Sequence, residues 1–535
     1  MAFIEADEAR SNSWGADLKA GFLVFLIALP LSLGIAMASG FPPIAGVLTA
    51  ILGGVLATFL GSARLTIKGP AAGLIVIAIG AVQDLGHGDL VLGYKRALAV
   101  GVLAAGVQLA LALAGAATIG VAMSPSVVHG MLAAIGVIII AKQIHIAVGV
   151  LPEGKEPLEL LAEVPHSLLH ANPEILAIGA LSLLVLFGLP HIRQRWATMI
   201  PGPMVVLLLA IPLGLWFDLD HKHSYRVFGS VQTWEVGPNF LVDLPGSLAS
   251  AVAFPDFSVA FSPTSLKYVL MYALVGTIES TLSVLAVDSM DPKRRASDLN
   301  KDLFAVSIAN LASASIGGLP MISEIVRSKA NVDAGAQSRW ANFFHGCCLL
   351  GSVALIPGLL EEIPLAALAA MLIYTGARLA SFQEVRHARE LGNDQLILFV
   401  TTLVMTLATD LLVGVATGLV LKIALHVGRG TPLSLILRPD VVVESTSEEI
   451  RIKIGGAATF ACLLSVRRAV ADLPAEVQRV VIDVTDARIV DHTFLSRLDG
   501  FAMEWESAEL VVEGLDDLDA ISAHPWATRL RRVEV

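Results

Sequence analysis

The chain has 535 residues and a net charge of -11, yet only 16% of its residues are charged, 55% are hydrophobic and the mean hydropathy is +0.74. Soluble domains carry roughly 25% charged residues, so the composition excludes an ordinary soluble protein and implies a chain that crosses a membrane many times. The acids gather in loops and toward the C-terminus with no basic stripe, which excludes a nucleic-acid surface, and the three cysteines imply no disulfide framework.

Residues 1–17 form a short N-terminal segment that carries acids and lacks the basic start and small-residue cleavage site of a signal peptide, so the first apolar run is expected to be retained. At roughly 20 residues per crossing, spans are predicted at 18–38, 43–60, 70–83, 91–116, 124–147, 174–190, 200–217, 264–288, 299–316, 321–332, 341–359, 364–380, 394–409 and 411–428, fourteen in all. The two short ones are the third and the tenth. The third follows Lys68-Gly69-Pro70 and the tenth follows Gly317-Gly318-Leu319-Pro320. Proline suits the first turn of a helix and not its middle. The residues therefore predict an extended stretch Arg64–Lys68 with a helix starting at Pro70, and a second helix starting at Pro320. Non-helical backbone at membrane depth persists only where protein buries it or water lines it. Two interrupted spans at corresponding places point to a transporter built from an inverted repeat. An odd number of spans in each half, 18–217 and 264–428, forces the second half to run inverted.

Basic residues in short loops set orientation. Arg193, Arg195, Lys293, Arg294, Arg295, Arg378, Arg386, Arg389, Lys422 and Arg429 fall on the side of the N-terminus, opposite the acidic loop Glu153–Glu163 and the long segment 218–263. Both termini are thus expected in the cytoplasm, with the spans in the inner cell membrane. After Arg429 the texture changes. Strand patterns at 450–454 and 480–484 alternate with helical stretches at 459–472 and 493–506, predicting a small α/β domain over 440–535.

Within the spans, Glu279 is an ionisable group at mid-depth and a functional candidate by default. Cys347 and Cys348 read as small core residues, Asn331 as a packing amide, and Asp410 as a turn or cap. His129, Lys142, Gln143 and His145 share span five, where a polar lining of an access path is expected rather than ligands.

Several motifs occur together in order: Gly40-Phe41-Pro42-Pro43, Gly61-Ser62-Ala63-Arg64, Lys68-Gly69-Pro70-Ala71-Ala72, Ile278-Glu279-Ser280, Gly317-Gly318-Leu319-Pro320 and the run Arg327–Ala336. This set resembles the sulfate permease (SulP) family of inorganic anion transporters, and Val480 to Asp491 resembles its cytosolic STAS domain. The resemblance implies an all-helical, seven-plus-seven inverted-repeat membrane fold followed by a small α/β domain, in a homodimer. A core domain of spans 1–4 and 8–11 moves against a gate domain of spans 5–7 and 12–14. The anion sits between the N-termini of half-helices three and ten, where unpaired N–H groups and about half a positive charge favour it. The residues expected there are Gly69, Ala71, Ala72 and Gly73 from one side and Met321, Ile322 and Ser323 from the other.

The resemblance also assigns Glu279 to sodium or proton coupling, with Ser283 and Thr277 as further oxygens for Na⁺, and matches Arg327 to an arginine of half-helix ten. Lys68 and Glu324 depart from the usual pattern. Two readings stand: Lys68 and Glu324 offset one another across the site, or Glu324 pairs with Arg327 at i, i+3. In the tail, Asp491-His492-Thr493-Phe494 replaces Asp-Ser-Ser/Thr-Gly, which argues against phosphorylation of Thr493 and for a helix-capping hydroxyl. The functional expectation is bicarbonate uptake with Na⁺ (or H⁺), since the Gly-Pro-Ala-Ala-Gly and Met-Ile-Ser-Glu-Ile-Val-Arg patterns resemble the branch associated with carbonic anhydrases. A glutamate at the site also penalises a divalent anion about twice as much as a monovalent one. A sulfate/H⁺ symporter is the alternative, and an anion channel or STAS-linked sensor is the reading from a different class. No enzyme, and no cofactor beyond Na⁺ as a coupling ion, are expected, because no nucleophile-base-acid set, metal-ligand cluster or phosphate-binding loop appears.

Overall fold

The computed structural model describes residues 13–118, 123–154, 156–192, 201–226, 233–245, 250–437, 440–446, 449–469, 477–504 and 509–531. Arg193, Arg195, residues 470–472 and residues 505–506 of the sequence reading lie outside them. Each of the fourteen predicted spans contains a helix. In chain order the first half holds α1 (Ser13–Ala38), α2 (Pro43–Phe59), α3 (Ile75–Gly86, led by a 3-10 turn Ala72–Leu74), α4 (Leu90–Leu113), α5 (Pro125–Ala147), α6 (Pro157–Leu169), α7 (Pro173–Gly188) and α8 (Gly202–Trp216). There follow α9 (Pro263–Met290), α10 (Leu299–Ser315), α11 (Ile325–Asp333), α12 (Trp340–Leu355), α13 (Pro357–Glu361), α14 (Leu365–Leu379), α15 (Phe382–Leu391), α16 (Asn393–Ala408) and α17 (Leu411–Gly428). Among the described residues seven helices are long and apolar enough to cross a membrane, and five more are shorter apolar helices. The additions to the sequence reading are α6, in the acidic loop, and the short α13 and α15.

Local chemistry sets many of these boundaries. Asn172 accepts from the amides of Glu174 and Ile175 to start α7, with Pro173 at its first position, and Ser262 accepts from Ser265 to start α9. Asp410 accepts from Val413 N at 2.9 Å and begins α17, the cap expected of it.

The chain divides into two compact units, residues 1–116, 135–291 and 297–378, and residues 117–134, 292–296 and 379–535. The first has a core of Leu, Ile, Val and Ala side chains from α1, α2, α7, α8 and α14, including Leu33, Val47, Ile178 and Ala367. Small residues bring the backbones close, as membrane bundles require: a Cβ at Gly46 would strike the Ser32 carbonyl, and Gly54 lies against Gly346. This unit also holds two strand pairs. β1 (Ile67–Pro70) pairs with β4 (Met321–Glu324), and β2 (His223–Tyr225) with β3 (Trp234–Val236). Cys347 and Cys348 on α12 are half-buried rather than core residues, because their helix turns that face partly outward.

In the second unit, α18 (Leu433–Leu437) leads into a sheet of β5 (Asp440–Ser445), β6 (Glu449–Ala458), β7 (Arg479–Asp483), β8 (Ala487–Val490), β9 (Glu509–Glu513), β10 (Asp519–Ala520) and β11 (Arg529–Leu530). The order is β10-β11-β8-β6-β7-β9, with β5 antiparallel on β6 and the β6–β9 pairings parallel. Helices α19 (Phe460–Ala469) and α20 (His492–Glu504) supply the helical layer. The alternation in β6 buries Ile450, Ile452 and Ile454 and turns Arg451 and Lys453 outward, which is why the sequence revealed that strand. The start of α20 corrects the capping expectation. Asp491 Oδ1 accepts from Phe494 N at 2.7 Å, so the carboxylate is the cap, while the Thr493 hydroxyl accepts from Lys422 Nζ at 2.6 Å.

Candidate functional site: two half-helices joined by a buried strand pair

The two breaks in the helical pattern meet each other. β1 and β4 run antiparallel in the register Ile67↔Glu324, Lys68↔Ser323, Gly69↔Ile322 and Pro70↔Met321, with all eight residues buried. Extended backbone at this depth has orphan amides and carbonyls, and each segment supplies the partners the other lacks. Two expectations are corrected as a result. The extended stretch is Ile67–Pro70 rather than Arg64–Lys68, and half-helix three starts at Ala72, not Pro70. Half-helix ten starts at Ile325, not Pro320, so Met321, Ile322 and Ser323 are strand residues and not its first turn. Pro70 closes the ladder, after which Ala71 N donates to Pro320 O at 3.3 Å.

Polar side chains from the surrounding helices clamp this pair. Asn310 of α10 brackets Met321, accepting from its amide at 2.6 Å and donating to its carbonyl at 3.0 Å. Ser280 of α9 accepts from Ser323 N at 3.1 Å. Asn342 of α12 accepts from Lys68 N at 3.1 Å, Ser328 of α11 accepts from Ile67 N at 2.8 Å, and Thr49 of α2 accepts from Leu319 N at 2.7 Å. Asn331 donates to Leu65 O at 2.9 Å, the packing role expected of it. The Met321 and Ser323 amides are therefore occupied by protein. Neither Asn310 nor Asn342 stands out in the sequence, because a lone amide in an apolar helix carries no pattern, and Ser280 and Ser328 appear there only inside longer motifs with no role of their own; only the fold converges the four.

The charges sort differently from the sequence reading. Lys68 is fully buried and its ammonium is triply satisfied, by Asp302 Oδ1, Thr66 Oγ1 and Ser323 Oγ, each at 2.6 Å. Its counter-ion is Asp302, in the first turn of α10, and not Glu324, because alternation along β1 and β4 turns Lys68 and Ser323 to the same side. The Glu324 carboxylate instead accepts from Ala72 N, at the start of half-helix three, at 3.3 Å. Arg327, one turn along α11, is its electrostatic neighbour, as the i, i+3 spacing suggests. Arg327 is only 1% exposed, and among the described residues its Nε, Nη1 and Nη2 have no hydrogen-bond partner; neither has either ring nitrogen of the adjacent buried His345. Gly69 lies directly against it, and a Cβ there would overlap the guanidinium unless that side chain shifts.

Glu279 of α9 is buried beside Gly73, and among the described residues both its carboxylate oxygens lack a hydrogen-bond partner, as does Thr277 Oγ1. Ser283, one turn farther along α9, is also buried. The site thus brings together Gly69, Ala71, Ala72, Gly73, Glu279, Glu324 and Arg327, while Lys68 is held beneath the strand pair. Gly73→Ala should be severe: its methyl group would overlap the Glu279 carboxylate, and a displacement of about 1 Å at a binding centre costs about 100-fold. Uptake by the reconstituted variant, measured at equal protein, checks this. Span five stays out of the site: His145 is satisfied by Ser167 Oγ and Leu160 O, and Lys142 donates to Ala38 O.

The model of the sulfate permease family matches residues 15–402. The chain is 26% identical over 417 residues to the probable sulfate transporter Rv1739c of Mycobacterium tuberculosis, covering 76% of this chain and 69% of that protein. It is 23% identical over 423 residues to the bicarbonate transporter BicA of Picosynechococcus, covering 77% and 70%. Among solved structures, the transmembrane domain of a cyanobacterial bicarbonate transporter BicA aligns with a TM-score of 0.64 at 22% identity, over 76% of this chain and 98% of that one. The overall structure of SLC26A9 aligns with a TM-score of 0.64 at 14% identity, over 94% and 84%. These likenesses show a helical membrane fold followed by a small sheet domain.

Proposed function

The chain belongs to the sulfate permease family, and on that premise we propose that it is a secondary active transporter that takes up bicarbonate with Na⁺, or with H⁺ in its place. The observation that carries the reading is the pairing of two half-helix starts through β1 and β4 beside the unpartnered Glu279 carboxylate. Helix N-termini attract an anion without a full buried charge. Among the described residues neither Glu279 carboxylate oxygen has a hydrogen-bond partner, and Ser283, at i, i+4 on the same face of α9, adds a hydroxyl oxygen for a hard cation, whereas Thr277 at i−2 projects from the other side; a carboxylate there can alternatively carry a proton. A passive pore gives no reason for such a group.

Bicarbonate is preferred to sulfate on charge. The Glu324 carboxylate stands at the anion site, and it repels a divalent anion about twice as strongly as a monovalent one. Sulfate with H⁺ is the second reading, favoured by the relatives named for sulfate at similar identity. In the proposed cycle the core domain carries both ions past the gate domain as an elevator, in an inner-membrane homodimer whose C-terminal domain is cytoplasmic and whose supply of bicarbonate a carbonic anhydrase can balance.

Proteoliposomes given radiolabelled bicarbonate or sulfate, with and without inward sodium and proton gradients, test this. Accumulation of bicarbonate driven by sodium is expected, and Glu279→Gln should lose the cation dependence. Flux that never exceeds equilibration would identify a channel, and no flux at all would leave the sensor reading.

A further inference from the structure

We propose that the Glu324 carboxylate is a built-in occupant of the anion position at half-helix three, and that a substrate anion enters by displacing it toward Arg327. The proposal rests on the anion-transport reading of this site and names what controls access to it. Glu324 stands where the N-cap of α11 belongs, yet its side chain makes no capping bond to its own helix. The register Ile67↔Glu324 instead carries it to the opposite half-helix, where Oε1 accepts from Ala72 N at 3.3 Å. A carboxylate on that N–H uses the donor and the dipole that an external oxyanion needs. Both anions at one helix start would be like charges at contact distance in a buried site, with the Glu279 carboxylate beside them. One must leave.

The destination is also built. Arg327 lies in the first turn of α11, three residues past Glu324 at the end of β4, is 1% exposed, and offers guanidinium donors that have no acceptor among the described residues. A buried arginine without acceptors is costly and calls for an acceptor that arrives. The displaced carboxylate meets that need from the residue that leads into α11, by a change of its side-chain rotamers. Glu324 thereby makes each anion compete with an internal one, which keeps weakly binding anions out. The surrounding charges are Glu279 from α9 and Arg327 from α11, with Lys68 turned away and neutralised by Asp302.

Equilibrium binding of radiolabelled bicarbonate and sulfate to the purified full-length protein in detergent tests the proposal, with thermal unfolding as the check on folding. Glu324→Ala and Glu324→Gln should bind bicarbonate at least about tenfold more tightly than the wild type. Glu324→Asp separates displacement from simple repulsion. It keeps the charge but is one methylene too short to hold Ala72 N, so it should also gain affinity. Wild-type affinity in folded Glu324→Asp, or no gain in folded Glu324→Ala, overturns the displacement while leaving the transport reading in place. If neither the wild type nor Glu324→Ala binds either anion, both readings fall. Binding by Glu324→Ala alone supports both.

Discussion

Lys68→Met is expected to destabilise the folded chain by about 3–5 kcal/mol, because it strands the Asp302 carboxylate in an interior where both partners are almost fully buried. Asp302→Leu should do comparable damage for the mirror reason. The Lys68→Met/Asp302→Leu double variant should recover most of the loss, since replacing a buried pair by apolar groups of similar size is often nearly neutral. The pair also ties β1 to α10 and, through Ser323 Oγ, to β4. The single variants should therefore lose transport along with stability. Thermal unfolding in detergent and uptake in proteoliposomes measure both. Reversing Lys68 and Glu324 together should restore nothing, whereas rescue by that exchange would show that Asp302 is not the partner.

Asp491→Ala should have an effect of similar size in the C-terminal unit. It removes the α20 cap, worth about 1 kcal/mol, and leaves Lys422 buried without its partner at 2.8 Å, which costs about 3–5 kcal/mol. Asp491→Asn keeps the capping oxygen and loses the charge, so it isolates the second contribution. Acid should act on the same corner. Burial alone would raise the Asp491 carboxyl, but Lys422 and His426 hold it well below the usual carboxylate range, so its stabilisation is present near neutral pH and is lost only as the pH falls below about 4. His492 responds earlier. Burial pushes it down to about 4, so the fold holds the ring neutral and Nδ1 donates to Trp526 O at 2.9 Å. Protonation therefore favours the unfolded form, and stability drains away as the pH drops from about 6.5 toward about 4. Hydrogen exchange of β6 and β7 in the intact protein should show protection falling over that interval, and His492→Gln should flatten the fall.

Much of the membrane architecture was legible in the sequence. Long apolar runs have few alternatives to helices, and the fourteen predicted segments each hold one. The breaks at Gly69-Pro70 and Gly318-Leu319-Pro320 were legible for the same reason, since proline leaves a mark in one dimension. The exact helix starts were not. Proline at a helix start and proline at the end of a strand look alike in sequence, and only the meeting of Ile67–Pro70 with Met321–Glu324 decides between them.

The charges divide along the same line. The sequence identified Glu279, Arg327, Lys68 and Glu324 as costly residues at membrane depth, which follows from burial of charge alone. Which charge meets which was decided by tertiary structure: strand alternation sends Lys68 to Asp302, more than two hundred residues away, and cross-strand register sends Glu324 to Ala72. Apolar length and helix-breaking residues act locally and can be read along the chain. Pairing depends on direction in space, and the chain acquires that only when its two half-helices close on one another.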